Sequence, residues 1–382
     1  REYTRSRCHP AAAPRSPANG KKNSRRVQRA FPGSRFDILP VMEHDDSATF
    51  PYTPGTNGMV ELEHTDDTVL ARRDLLKGGG TVAGFLAAAN QAAAQQAPAP
   101  VMMPEAKAGP QLPLARFGKH RITRLIAGAN PIYGYSHFNY VFSATMGEYH
   151  TTERVLAFLK QLERAGLNTW QASWSERLEA DWTRYKEQGG KMQLLVLSRP
   201  DFNEHPEMAA RAAKLNPMGI AQHGGATNRL WDAGQFDKSK DYLKRVRDTG
   251  VMVGLSGHNP AEIEYAEEKG WDVDYYMASL YYLIRPRAVF EKMLGELPLG
   301  EIYLPSDVPK MLATVRQTKK PCLVYKVLAA GRTVNSPKQV KERMAVALDG
   351  IKPDDAMIIG MYQRYNDQIG QTAQFVREIL QA

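Results

Sequence analysis

"MGIAQHGGATNRLWDAG", residues 218–234, ends a short apolar run on His223, follows it with two glycines and opens into a long polar loop. An imidazole at the end of a buried strand is either a satisfied structural group or part of a site, and the choice depends on the fold that owns the strand. Working outward, short β-rich runs alternate with longer segments of helical spacing from Gln111 onward. Residues 122–127 read as a first strand, and residues 152–165 as a helix, because Val155, Phe158, Leu159 and Leu162 fall at i, i+3, i+4 and i+7. Residues 167–172, "KMQLLVLS" (191–198) and "PMGIAQH" (217–223) supply strands two to four, with polar helical segments at 174–187, 204–213 and 237–248. "VMVGLSG" (251–257) is strand five. After it, Asn259 can cap a helix, Pro260 suits its first position and Glu262 completes a capping box. "VDYYMASL" (273–280), "KPCLVYKV" (320–327) and "AMIIGM" (356–361) give strands six to eight, and a last helix places Ile369, Ala373, Val376 and Leu380 on one stripe. Eight βα units in this order predict a closed (β/α)8 TIM barrel over 112–382, and no glycine-rich dinucleotide fingerprint follows the first strand. Barrel sites form at the C-terminal strand ends, where His223 falls.

The chain has 382 residues, of which 43% are hydrophobic, enough for a sizeable core. The net charge of +9 is spread without a long basic run or aromatic-basic alternation, which argues against a nucleic-acid partner. Cys8 and Cys322 are the two cysteines, too few and too far apart for a disulfide framework or thiolate metal site; Cys322 lies in an apolar run and reads as core.

Residues 1–70 read as a disordered or upstream segment, rich at first in Arg, Pro, Ser and Gly, with Met42 and Met59 as later starts. In residues 71–97, Arg72 and Arg73 followed by Leu75, Leu76, Lys77 and an Ala-rich apolar stretch resemble a twin-arginine (Tat) signal peptide. That resemblance implies a periplasmic or exported bacterial protein, the Tat export machinery as a partner, and no stable membrane span after cleavage. Residues 98–111 read as a linker.

The barrel segment resembles the aldo-keto reductase superfamily along its length. "LARFGKHRITRLIAGAN" is similar to that family's opening hairpin and first strand, "AGLNTWQAS" to its second-strand entry and "IAQHGG" to its fourth strand with a catalytic histidine. "GLSGHNPAEIEYA", "CLVYKVLAAGR" and "IIGMYQRYNDQIGQTAQFV" resemble the cofactor segments after strands five, seven and eight. The resemblance implies an oxidoreductase acting on a small carbonyl or carbohydrate with NADP or NAD. The positions of the family's aspartate, tyrosine, lysine and histidine carry Gln171, Glu176, Arg199 and His223, so the tetrad is largely replaced. Ser256 and Tyr325 match residues that hold and stack a nicotinamide, Leu328 lies where a backbone amide meets the pyrophosphate, and Lys326 replaces a small serine beside it.

Glu176, Arg199, His223 and Lys326 thus form the expected catalytic set, with His258 just beyond strand five. A base, a carboxylate and two cations at one barrel mouth suit proton abstraction next to a carbonyl. Two alternatives stand beside the reductase reading. One is a non-redox isomerase or lyase acting on sugars through Glu176, His223 or Lys326, the last as electrophile or Schiff-base amine. The other is a periplasmic solute-binding barrel without turnover. His223, His258 and Glu176 would also make a non-local metal set, though no HExxH-type spacing supports one. The aromatic loop after strand one (Tyr133, Tyr135, Phe138, Tyr140, Phe142), with Trp170, Trp174, Tyr281 and Tyr282, suits a small ring or sugar substrate.

Overall fold

The computed structural model describes residues 102–381. The segments read from sequence as upstream chain and export signal lie outside the described residues, as do residues 98–101 of the expected linker. Residues 102–111 run over the barrel surface, where the Ala106 amide donates to Gln161 and the Gly109 amide to the Arg164 carbonyl.

Among the described residues, ten strands build the fold. β1 (Leu114–Phe117) and β2 (His120–Thr123) form an antiparallel hairpin. The other eight form a closed, all-parallel barrel: β3 (Leu125–Gly128), β4 (Thr169–Ser173), β5 (Gln193–Leu197), β6 (Gly219–Gln222), β7 (Met252–Gly257), β8 (Tyr275–Ser279), β9 (Cys322–Tyr325) and β10 (Ala356–Gly360). The last strand closes on the first, with Ile358 beside Ile126. The expected (β/α)8 barrel is therefore present, with one correction at its start. The apolar run 122–127 splits at Arg124, whose amide still donates to Pro113 in the hairpin layer while its carbonyl already accepts from Met357 in the barrel.

Strand alternation sorts the side chains into two cores. Ile126, Leu195, Ala221, Met277, Leu323 and Ile358 point inward, and the hairpin's Phe117 and Ile122 join them, plugging the barrel at its N-terminal end. Phe117 meets the Tyr275 ring edge-on at 4.9 Å. Leu125, Trp170, Leu194, Val196, Ile220, Val253 and Val324 point outward against the helices. With the floor filled, the open end is the C-terminal one. Cys322 is fully buried, as its apolar run suggested.

The structure adds helices where sequence patterns were weak. The aromatic loop after β3 contains α1 (Tyr140–Tyr149), capped by Asn139, whose side chain accepts from the Phe142 amide. The stretch after His223, read as a loop, is α5 (Gly224–Asp232). The helices between these are α2 (Thr152–Arg164), α3 (Glu176–Glu187) and α4 (Glu207–Ala213). Then follow α6 (Ser239–Arg247), α7 (Pro260–Glu268), α8 (Arg287–Leu294), α9 (Asp307–Gln317), α10 (Pro337–Gly350) and α11 (Gln368–Leu380). The capping box read at Asn259 and Glu262 is present at α7. Among the described residues no helix is long and apolar enough to cross a membrane.

Candidate functional site

Inward alternation continues past the strand ends and brings Ser256, His258 and Tyr325 to the mouth with His223, while Lys326 follows at once after β9. His223 is the N-cap of α5. Its Nδ1 accepts from the Gly225 amide at 3.0 Å, so the neutral ring carries its proton on Nε2 and is a hydrogen-bond donor. Burial, with the Lys326 charge next in weight, pushes its pKa down to about 4. The glycines after it now have a reason. A Cβ on Gly224 would lie 2.6 Å from Cε1 of His258, so the bare backbone lets the second imidazole pack against the helix start.

His258 is buried, and burial holds its pKa well below the ordinary value. Its partners fix the tautomer. Asn228 donates its amide to Glu262 and therefore turns its carbonyl oxygen toward Nδ1 of His258 at 2.7 Å. Nε2 is then an acceptor, 3.2 Å from the Tyr325 hydroxyl, which is in turn 3.1 Å from Oγ of Ser256. A chain of polar contacts thus runs from the mouth to a buried carboxylate, with the Tyr325 phenol as its outermost proton and His258 as acceptor.

Lys326 faces this chain with a backbone φ of 61°, a left-handed conformation that costs a residue with a Cβ about 1 kcal/mol or more. Its Nζ lies 3.1 Å from Nε2 of His137, a residue of the loop after β3 that also has positive φ, at 55°. Nδ1 of His137 is 2.8 Å from Oε1 of Glu301, and the Tyr303 hydroxyl donates to the other oxygen at 2.8 Å. The carboxylate holds the Nδ1–H tautomer, leaving Nε2 as acceptor for the lysine. Burial pushes the Lys326 ammonium down to about 8, against the opposing pull of Glu301. Burial acts to raise the Glu301 carboxyl, but the His137 hydrogen bond and the nearby positive charges overcome it and hold the group at about 2.

Glu176 and Arg199 do not join this cluster. Glu176 opens α3 with its side chain 79% exposed and is 3.5 Å from Arg211; Arg199 forms a two-pronged pair with Asp201 at 3.1 and 2.7 Å. The reason is local: each finds an opposite charge on the outer rim before it reaches the mouth. Gln171 is buried on the inner wall of β4. Several aromatic residues also leave the expected binding wall. Trp170 and Tyr133 are stacked in the outer core, Trp174 packs on Phe202, and Tyr281 on Tyr303. Tyr135, Phe138, Tyr140 and Phe142 remain exposed. Among the described residues, no group of three His, Cys, Asp or Glu is placed to hold a metal.

The residues fit a nicotinamide cofactor poorly. The Ser256 and Tyr325 hydroxyls bond to each other, Leu328 opens a tight turn, and Asp367 already occupies the start of the last helix, where a dinucleotide phosphate would compete with it. The sequence missed His137 and Glu301, which reach Lys326 from loops with no periodicity to mark them.

No family model matches the chain, and no curated protein matches it. Solved structures do. The truncated 3-deoxy-D-arabino-heptulosonate 7-phosphate synthase from Thermotoga maritima is 15% identical, with 71% of this chain and 92% of that chain covered at a TM-score of 0.41. A structure described as "Native KDPGal structure" is 13% identical over 68% and 95% of the two chains at 0.38, and "QR15, an Aldolase" is 8% identical over 60% and 90% at 0.37. At these values the neighbours say nothing of this chain's substrate, and its own strand order establishes the barrel. The oxidoreductase expectation is nevertheless corrected. At the tetrad positions the site has neither the tyrosine nor the lysine of the family it resembles, and the Glu176 and Arg199 found there are drawn off into rim ion pairs.

Proposed function

We propose that the protein is a Schiff-base lyase of the aldolase type, acting on a small sugar-like carbonyl compound through Lys326. The observation that carries this reading is the lysine amine at the barrel mouth, its pKa lowered to about 8, with Nζ 3.1 Å from Nε2 of an imidazole that a carboxylate orients. An amine that loses its proton near neutral pH is a nucleophile, and the His137 Nε2 is placed to take that proton.

In the reaction proposed, the Lys326 nitrogen adds to the substrate carbonyl carbon, and the oxygen leaves as water, taking back the proton that His137 received from the ammonium, to give an iminium ion. The bond between the α and β carbons then breaks, and its electron pair moves into the iminium to form an enamine. The β hydroxyl gives up its proton to the Tyr325–His258 pair and departs as an aldehyde. Protonation of the enamine carbon by the same pair, followed by addition of water to the iminium, releases the ketone and restores the amine. The His223 Nε2–H donates to the oxygen on which charge develops.

The aldo-keto reductase-like order of motifs belongs to this proposal as the pattern of a barrel whose tetrad has been replaced. Export by the twin-arginine route, read from Arg72 and Arg73, is part of it too. Borohydride added with dihydroxyacetone reduces such an iminium to a stable secondary amine. The intact mass of the wild-type protein then rises by one reduced adduct, and that of Lys326→Ala does not; equal labelling of both proteins removes the proposal.

A further inference from the structure

Several guanidinium groups around the barrel are answered by carboxylates of the protein: Arg177 by Asp181, Arg199 by Asp201, Arg211 by Glu179 and Arg285 by Asp307. Arg332 is different. It ends the short turn that follows Lys326, lies half-buried, and among the described residues bonds only to backbone carbonyls. Its two terminal nitrogens share the His137 carbonyl at 3.3 Å each, and Nη1 also reaches the Ala329 carbonyl at 3.4 Å. The Tyr303 ring lies 4.3 Å from its Cζ and the Phe138 ring 5.4 Å. Rings and carbonyls hold a cation in place without neutralising it. The side-on fork of Nε–H and the outer Nη2–H, whose parallel donors match a carboxylate or a phosphate, has no partner among the described residues.

This cation stands beside the nucleophile. His137 touches both groups, its carbonyl meeting Arg332 and its ring Nε2 lying 3.1 Å from Nζ of Lys326, and the Arg332 charge reinforces the burial that lowers the lysine pKa. Arg229, on α5 with His223, adds a second cation, bonded to the Pro200 carbonyl at 2.8 Å, whose charge is felt at the His223 ring. The nearby carboxylates are spent, Glu301 on His137 and Tyr303 and Asp201 on Arg199. At the start of α11, the place where such barrels often seat a phosphate, Asp367 caps the Gly370 amide at 2.8 Å, so an anion here falls to side chains. A half-buried cation with an open fork is satisfied when a ligand supplies the negative charge.

We propose that Arg332 binds an anionic group, carboxylate or phosphate, on the carbonyl compound that reacts with Lys326. The proposal rests on the Schiff-base reading and names its substrate class, an anionic oxo compound. Wild-type protein and Arg332→Gln are treated with borohydride and, in separate arms at equal sub-saturating concentrations, dihydroxyacetone, dihydroxyacetone phosphate or pyruvate, and initial labelling rates are read by intact mass. Dividing each anionic rate by the dihydroxyacetone rate of the same protein cancels any change in the amine itself. The expected result is that this ratio falls about tenfold or more in Arg332→Gln for at least one anionic probe, the loss of one charge-assisted fork. The probe that loses its advantage tells phosphate from carboxylate. A smaller fall for both overturns the inference and leaves the lysine chemistry standing; labelling of the wild-type protein by none of the three overturns the lysine chemistry and this inference with it. If Arg332→Gln labels with nothing, as a misfolded protein would, inorganic phosphate added to the wild-type protein takes its place. It should slow labelling by an anionic probe more than labelling by dihydroxyacetone, and equal slowing overturns the inference.

Discussion

Replacing Glu301 by glutamine separates two effects that its carboxylate has on the reactive amine. A lysine of ordinary pKa 10.5 is about 0.03% neutral at pH 7, whereas one lowered to about 8 is about 10% neutral, a gain of about 300-fold in nucleophile. Glu301 works against this gain, because its negative charge favours the ammonium, while it also orients His137 through the Nδ1 contact at 2.8 Å. The carboxylate lies across one imidazole from Nζ, roughly 7 Å away, where unit charges interact by about 0.6 to 2.4 kcal/mol for effective dielectrics of about 80 to 20. Removing that charge lowers the Lys326 pKa by roughly 0.4 to 1.7 units. The other charged or titratable groups facing the amine, Arg332 and the imidazoles of His137, His223 and His258, remain. Initial rates of borohydride labelling with dihydroxyacetone, corrected for reagent decay, are measured from pH 6 to 10 for both proteins. The wild-type midpoint is expected near 8 and the Glu301→Gln midpoint below it, with a lower plateau from the loosened His137. A midpoint that stays put or rises refutes the coupling of Glu301 to the amine.

The remaining predictions concern proton transfer, packing and acid stability. Tyr325→Phe removes the hydroxyl between Ser256 and His258 and should lower cleavage turnover by about 10² to 10³ while borohydride labelling persists; loss of both in step would assign the phenol to folding. Gly254→Ala places a Cβ 2.4 Å from the Tyr275 ring inside the barrel and should cost about 1 to 3 kcal/mol in urea unfolding, with a change under about 0.5 counting against the packing described. His150 is fully buried, and burial lowers its pKa to about 4. The unfolded chain therefore binds the extra proton first, so this contribution is complete above pH 6.5 and is lost as pH falls through about 4. It amounts to about 3 kcal/mol. Urea midpoints at pH 7 and 4 measure it, and a His150→Gln protein should lose less between the two; equal losses refute the assignment.

The barrel was legible because its signals are local. Alternating runs such as residues 251–257 and the Asn259–Glu262 cap depend on neighbours within a few residues, and they fall where the sequence put them. The apolar run at 122–127 misled because pattern alone does not mark the residue where a chain passes from one sheet to another, here Arg124. Of the expected site residues, His223, Ser256, Tyr325 and Lys326 are at or beside strand C-termini, where the fold dictates direction. Glu176 and Arg199 were placed by the same rule, but each lies beyond a strand end, where the nearest counter-charge decides. The His137–Glu301 pair was illegible, being made of residues 164 positions apart on irregular loops. Its one local trace is backbone strain, visible only in three dimensions, at His137 and Lys326. The family resemblance carried the architecture and misdirected the chemistry, because strand order survives changes at mouth positions that alter the reaction.

The central claim is that one amine at the mouth is the nucleophile. After borohydride reduction with dihydroxyacetone, digestion and tandem mass spectrometry locate the modified lysine. The account predicts a single reduced adduct on Lys326, abolished in Lys326→Arg with an unchanged melting temperature. Modification spread over the surface lysines with Lys326 unmodified would contradict it.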